Sequence, residues 1–309
     1  MVVNKVLILG SNGLVGKTLS NTLSNSEKVS EVFGSTRENA NLFSFDETKE
    51  LLEKQKPNIV INAAAKVGGI YANNTQRTEF ILENLKINMN LLESAKDFPD
   101  LKIINLGSSC IYPLNAENPI KESSFLSGML EPTNSPYAMA KITAIEIGRS
   151  IKSQYGNEVI NLMPTNLYGP YDNFSENDSH VIPGLIARMH KAKINNESEF
   201  MIWGTGNPLR EFLYAEDLAD SIEFILEKDL DRDLINIGSN NEISIKELAI
   251  KIKGIIKYDG NILFDESKPD GNPRKLLDSE YINSLGWSSS TSLEDGLIKT
   301  YEWFCDYVA

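Results

Sequence analysis

The chain has 309 residues, 41% of them hydrophobic and 24% charged, which suits one large or two unequal globular domains with a sizeable core. Its 43 acidic against 30 basic residues leave a net charge of −13, which repels phosphate backbones and anionic lipid and argues against nucleic acid or a membrane surface as partner. Two cysteines, Cys110 and Cys305, cannot build a disulfide framework; with no signal-peptide core and no membrane-length apolar run, the expectation is a cytoplasmic enzyme.

Val6-Leu7-Ile8-Leu9 is an unbroken apolar run, the pattern of a strand covered on both faces, and a glycine turn and a helical pattern from Leu14 to Leu23 follow it. Val29 to Phe33 reads as a second strand. Asp46 is expected to cap a helix ending near Lys54, and Asn58 to Ala63 is a third strand. Phe80 to Ala95 carries apolar residues at helical spacing. Lys102 to Leu106 is a strand, Tyr137 to Tyr155 a long helix, and Val159 to Met163 a strand closed by Pro164. Strands alternating with helices predict an α/β fold, a Rossmann-type doubly wound parallel sheet over residues 1–165. Beyond it turn residues crowd Asn173 to Asp178 and the elements shorten: strands at Met201–Trp203 and Leu234–Ile237, helices at Ile245–Ile256 and Leu293–Tyr307. Residues 166–309 therefore read as a smaller α/β substrate domain, packed tightly against the first, with some segments free to return to it.

Gly10-Ser11-Asn12-Gly13-Leu14-Val15-Gly16 is a G-x-x-G-x-x-G turn between a strand and a helix, the setting in which backbone amides receive a pyrophosphate. Gly16-Lys17-Thr18 also resembles the tail of a nucleotide-triphosphate loop, but Ser11 stands where its first glycine is needed, and no acid ends the third strand to hold magnesium. The second strand runs into Phe33-Gly34-Ser35-Thr36-Arg37 with no acid for a ribose diol. Arg37 suits a 2′-phosphate and favours NADP over NAD; the bland alternative is an ordinary loop cation.

Leu106-Gly107-Ser108-Ser109-Cys110 lies at the carboxyl end of a strand, the ligand edge of such sheets. Tyr137 and Lys141, one helical turn apart, share a face. An ammonium beside a phenol favours the phenolate, and Ser108 adds a hydrogen bond to the reacting oxygen. His190, in an amphipathic helix without a partner motif, reads as a surface residue.

The order of glycine turn, strand-end serine and Y-x-x-x-K resembles the extended short-chain dehydrogenase/reductases over the whole chain. Longer stretches narrow it: Ala63-Ala64-Ala65-Lys66-Val67-Gly68-Gly69-Ile70, Gly107 to Pro113, Leu130-Glu131-Pro132-Thr133-Asn134, Met163 to Pro170, Ser179-His180-Val181-Ile182-Pro183, Lys268-Pro269-Asp270-Gly271 and Pro273 to Asp278. These resemble the GDP-L-fucose synthase family. The resemblance implies 3,5-epimerisation of GDP-4-keto-6-deoxy-D-mannose, then reduction at C4 by NADPH. It implies Ser108, Cys110, Tyr137, Lys141 and His180 as catalytic residues, with Cys110 and His180 exchanging protons at C3 and C5 and Cys110 as the base. Its cofactor contacts fall on Gly10, Ser11, Asn12, Gly13, Leu14, Val15, Gly16, Arg37, Asn41, Leu42, Ala63, Ala65, Leu106, Gly107, Ser108, Tyr137, Lys141, Pro164, Thr165, Asn166, Leu167 and His180. Its GDP-sugar contacts fall on Arg188, Trp203, Arg210, Asp270 and Lys275. No metal is implied.

Cys110 is expected to border the pocket if the chain after Ser108 stays extended. Trp203 either stacks on the ligand or is an ordinary core tryptophan, and Asp270 is a candidate acceptor from guanine or ribose. Asn12 stands where some family members carry an arginine, which leaves Arg37 to supply more of the preference for NADP. The resemblance also implies a homodimer through a four-helix bundle of the Phe80–Ala95 and Tyr137–Tyr155 helices. The alternatives are another nucleotide-sugar epimerase or 4,6-dehydratase, or a non-catalytic dinucleotide-sensing module.

Overall fold

The computed structural model describes residues 4–175, 178–268 and 270–309; Pro269 of the signature and residues 176–177 of the turn-rich stretch lie outside them. The first half runs β1 (Asn4–Leu9), α1 (Leu14–Ser24), β2 (Val29–Ser35), α2 (Phe45–Gln55), β3 (Ile59–Asn62), α3 (Ile70–Thr75), α4 (Arg77–Ala95), β4 (Lys102–Leu106), α5 (Ser135–Tyr155), β5 (Val159–Pro164). The second runs β6 (Asn166–Tyr168), α6 (Val181–Ile194), β7 (Glu199–Trp203), β8 (Leu209–Tyr214), α7 (Ala215–Ile225), β9 (Leu234–Ile237), β10 (Glu242–Ser244), α8 (Ile245–Ile256), β11 (Asn261–Asp265), β12 (Arg274–Lys275), α9 (Glu280–Ser284), α10 (Leu293–Tyr307).

Six parallel strands form one sheet in the order β2-β1-β3-β4-β5-β9. Side chains alternate along a strand, and β1 shows why its apolar run is unbroken. Val6 and Ile8 pack with Leu19 and Leu23 of α1 and Leu218 and Ile222 of α7 on one face. Leu7 and Leu9 pack with Leu52 of α2, Leu91 of α4 and Ala144 of α5 on the other. Both faces are covered, so the fold is the doubly wound α/β sheet the pattern predicts. The sixth strand and a helix of one face come from the second half, whose chain returns after β8 to supply α7 and β9.

Three asparagines sit side by side in the register of β3, β4 and β5. Asn62 donates to Asn105 at 3.0 Å and to Asn88 of α4 at 3.1 Å, and Asn105 donates to Asn161 at 3.2 Å. Buried amides are stable only when paired, and these satisfy one another. One turn before Asn88, Asn84 accepts from the backbone of Lys66 and donates to its carbonyl, so the ladder reaches the loop after β3.

The second half has its own core, in which Ile182 and Met189 of α6, Ile202 of β7, Leu248 and Ile252 of α8 and Phe304 of α10 surround Phe212 and Tyr214 of β8. Leu213, between them in β8, points into the first core instead. That strand carries β10 and β12 on its edges and pairs with β6.

Local signals moved some boundaries. Ser44, not Asp46, caps α2, its hydroxyl accepting from Glu47 N; Asp46 lies inside the first turn, where a carboxylate complements the helix dipole. His190 is not a bare surface residue, since Nδ1 lies 2.9 Å from the Tyr301 hydroxyl and its ring meets Phe304 edge-on.

Candidate active site

β1, β3, β4 and β5 end at Leu9, Asn62, Leu106 and Pro164 and are neighbours in a parallel sheet. The glycine turn, Ala63–Ala65, Gly107–Ser108 and Thr165–Leu167 therefore emerge on one edge. Gly10 has φ 78°, a left-handed conformation natural to glycine, and a Cβ on Gly16 would overlap the Gly10 carbonyl oxygen. A Cβ on Gly13 meets only that oxygen, 3.8 Å away, so the mouth of the turn is open. Gly13 is the N-cap of α1, and the first turn reads Leu14-Val15-Gly16 without an acid. Free amides, positive dipole and open space fit a pyrophosphate. Arg37 is exposed just past β2, and Asn41 and Leu42 follow, with Leu42 O accepting from Asn90 at 2.9 Å.

The reactive cluster forms where β4 ends and α5 begins. Ser108 is extended (φ −162°), and its hydroxyl accepts from Cys110 N at 3.2 Å, capping a 3-10 turn over Ser109–Ile111. The expectation of an extended chain after Ser108 is therefore corrected. The turn nonetheless brings Cys110 round to Tyr137, close enough for both it and Ser108 to influence the phenol. Tyr137 lies in the first turn of α5, with the ring of Phe80 edge-on at 6.3 Å. One turn on, Lys141 is 2% exposed; its ammonium donates to Leu106 O at 2.7 Å and lies 5.8 Å from the Tyr137 ring centroid.

The expected lowering of the phenol pKa by Lys141 is not what this arrangement produces. Burial pushes Tyr137 above its usual value, the neighbouring Cys110 adds to it, and Ser108 only partly opposes. Tyr137 is therefore a held proton donor at neutral pH. Burial also lowers Lys141, to about 8.

Two donors converge on the half-buried sulfur of Cys110: Asn134 Nδ2 at 3.4 Å and Lys275 Nζ at 3.5 Å. Asn134 is the N-cap of α5, its backbone N–H held by Glu131, and its Oδ1 is buried without a partner. His180, the N-cap of α6, is exposed at the surface, and desolvation by the surrounding protein lowers its pKa. Its segment packs on the loop after β3, with Gly69 N donating to Asp178 O at 3.3 Å; the adjoining Gly68 faces Phe80, which edges Tyr137.

The other residues that the family resemblance implies at the substrate belong to the second half of the chain. Trp203 is 64% exposed with the Lys268 ammonium 5.8 Å from its ring, which removes the core-tryptophan alternative. Asp270 accepts from Thr205 N at 2.7 Å and Thr205 Oγ1 at 2.8 Å, so its carboxylate first of all closes the turn after β7. Arg210 borders Gly271; burial lowers its pKa and Asp270 opposes this. Arg188 donates to Gly184 O at 3.3 Å and stacks 5.3 Å from the Phe200 ring. Residue-by-residue reading gave no role to Asn134 or Phe80. The signal was present for Asn134, three residues before Tyr137 and hence at the helix cap.

Fold and cluster define a class: a Rossmann-type enzyme with Ser108, Tyr137 and Lys141 gathered at the carboxyl edge of the sheet. The chain belongs to the NAD dependent epimerase/dehydratase family, whose pattern matches residues 6–238. It is 46% identical over 305 residues to the GDP-L-fucose synthase of Sinorhizobium fredii (strain NBRC 101917 / NGR234), covering 99% of this chain and 96% of that one. It is 42% identical over 311 residues to the GDP-L-fucose synthase of Escherichia coli (strain K12), covering 98% and 97%. A solved GDP-L-fucose synthetase from Naegleria fowleri bound to NADP superposes with a TM-score of 0.90 at 29% identity, covering 99% of this chain and 95% of that one.

Proposed function

We propose that the protein converts GDP-4-keto-6-deoxy-D-mannose to GDP-L-fucose by 3,5-epimerisation and NADPH-dependent reduction at C4. The observation that carries this reading is the Cys110 sulfur, met by two donors, within the Ser108–Tyr137–Lys141 cluster. Reduction of a ketone uses the serine, tyrosine and lysine alone. A thiol among them adds a base for inverting a carbon next to the carbonyl.

Residues 10–16 hold the pyrophosphate of the cofactor, Arg37 its 2′-phosphate, and the segments 63–65, 106–108 and 164–167 its nicotinamide half. When bound, NADPH supplies a hydride equivalent to sugar C4. Arg188, Trp203, Arg210 and Asp270 form the wall that receives the GDP-sugar. The sulfur of Cys110 takes the proton from C3 or C5, and Ser108 and Tyr137 hydrogen-bond the O4 charge that develops. His180 returns a proton from the opposite face; a negatively charged substrate beside the ring favours the protonated imidazole this requires. Tyr137, protonated at neutral pH, then gives its proton to O4.

Residues 1–165 form the cofactor domain and 166–309 the substrate domain, with 215–237 returned to the first. The protein works in the cytoplasm as a homodimer. The dimer reading is supported by the exposed Leu82, Met89 and Met139 on α4 and α5, and by a groove of about 310 Å³ between these helices, lined by Ile81, Pro136 and Met139. Gel filtration giving a monomer at micromolar concentration removes it.

The test follows NADPH absorbance with the 4-keto-6-deoxy GDP-sugar and, separately, deuterium wash-in at C3 and C5. The expected result is oxidation of NADPH and exchange at both carbons. Cys110→Ser should abolish exchange and keep cofactor affinity. NADPH oxidation without exchange would make the protein a plain 4-reductase.

A further inference from the structure

Lys275 is placed by chain geometry, not by a local motif. In β12, Arg274 pairs with Leu209 and Lys275 with Arg210 of the parallel strand β8. Consecutive strand residues point to opposite faces. Arg274 is held on the outer face by Glu242, with Nε 2.8 Å from Oε2 and Nη2 2.7 Å from Oε1. Lys275 therefore turns inward, and its ammonium ends 3.5 Å from the Cys110 sulfur across 165 residues of sequence. The strand cannot slide freely, because Leu276 N donates to Asn118 Oδ1 at 2.8 Å and Leu277 N to Glu211 Oε2 at 3.0 Å.

We infer that Lys275 is the positioning residue of Cys110: its ammonium, with the Asn134 amide, holds the sulfur as the proton-abstracting thiolate. This rests on the proposed epimerisation. In that step the sugar C–H bond breaks, an S–H bond forms, and the electron pair moves into a C=C bond with the charge on O4. The only positive charge hydrogen-bonded to sulfur among the described residues is Lys275. The other groups around it are the protonated phenol of Tyr137, the Ser108 hydroxyl and the Asn134 amide. Lys141 directs its ammonium to Leu106 O, and Arg210, the register partner of Lys275, donates to Leu209 O at 2.8 Å. Lys275 therefore acts on the sulfur and not first on the sugar nucleotide, the role the family resemblance implied for it.

The experiment measures alkylation of Cys110 by iodoacetamide, a neutral reagent that reacts with thiolate, in the cofactor-free protein without sugar. Mass spectrometry of the Cys110 peptide separates it from the exposed Cys305. Lys275→Met is expected to slow alkylation at about pH 7 by roughly tenfold or more, and the gap to close at about pH 9.5, where any thiol ionises. Lys275→Arg, which keeps the charge, should restore most of the rate. In turnover, Lys275→Met should lower the rate of C3 and C5 exchange with the KM for the GDP-sugar within about twofold. Unchanged alkylation at neutral pH overturns the inference, as does a gap that persists at alkaline pH. A raised KM with normal alkylation also overturns it and assigns Lys275 to the substrate phosphates. Because alkylation needs no substrate, failure of the proposed reaction appears instead as absent exchange in the unaltered enzyme.

Discussion

Lys141 offers a quantitative test of how the site is built. Its ammonium is almost wholly buried, and burial alone lowers it from 10.5 to about 8. An unfolded chain holds the proton up to the ordinary lysine value. Between about pH 8 and 10.5 the unfolded state thus binds more protons, and stability rises with pH across that window. Below it both states are charged and the full penalty is present, about 3 kcal/mol at pH 7, shrinking to about 1 kcal/mol near pH 10. Lys141→Met removes this pH-dependent part. It also leaves Leu106 O without the 2.7 Å donor, a loss of about 1–3 kcal/mol that does not vary with pH. The variant should therefore match or exceed the unaltered protein in stability at neutral pH while losing C4 reduction. Urea unfolding from about pH 7 to 10 should show the difference shifting by about 2 kcal/mol in favour of the unaltered protein. A difference flat to within about 0.5 kcal/mol would refute the claim that the lysine is held at the cost of its own desolvation.

The glycine turn and the phenol give two further tests. Gly13→Ala has room for its methyl in the folded chain, so the melting temperature should hold while NADPH affinity falls tenfold or more; unchanged affinity would move the pyrophosphate elsewhere. Gly16→Ala forces the Gly10 carbonyl aside and should lose roughly 1–3 kcal/mol of stability as well as affinity, read by unfolding and titration together. Tyr137→Phe removes the proton donor and should slow C4 reduction by about 10²–10⁴-fold with the NADPH dissociation constant nearly unchanged; an undiminished rate assigns the proton to another group.

What could be read from the chain alone follows the range of the forces involved. Apolar runs and helical spacing are local, so β1, β3 and the long helices were legible, and so was the turn that needs Gly10 and Gly16. The helix start at Ser44 was misread at Asp46 because both residues are good caps, and only the hydroxyl contact to Glu47 N decides between them. Membership of Leu234–Ile237 in the main sheet is a pairing with β5 that no local pattern encodes. The same holds at the site. Tyr137 and Lys141 are one turn apart and were found together, whereas Lys275 reaches Cys110 only through the register of β12 on β8. Even the phenol was misjudged for a physical reason: an i,i+4 ammonium was expected to lower it, but that ammonium is turned toward Leu106 O and burial dominates.

Glu211 ties these distant parts together. The residue is fully buried in β8, where its Oε1 accepts from Asn240 N at 2.8 Å and its Oε2 from Leu277 N at 3.0 Å. Desolvation pushes its pKa up, and the backbone donors oppose this. Through Asn240 it holds the loop after β9, the last strand of the first sheet; through Leu277 it holds the segment that carries Lys275 to Cys110. Glu211→Gln keeps the shape but replaces one acceptor oxygen with an N–H facing a backbone N–H. A buried charged acceptor lost in this way costs about 3 kcal/mol, read as a lower urea midpoint. If the carboxylate also sets the register of β12, the folded variant should lose part of the neutral-pH alkylation rate of Cys110, though neither Cys110 nor Lys275 is altered. Arg274→Gln, which frees the solvent-side contact to Glu242 and leaves Glu211 in place, should keep more of that rate. Equal rates in all three proteins would mean that the strand finds its register without the buried carboxylate, and that Glu211 serves stability alone.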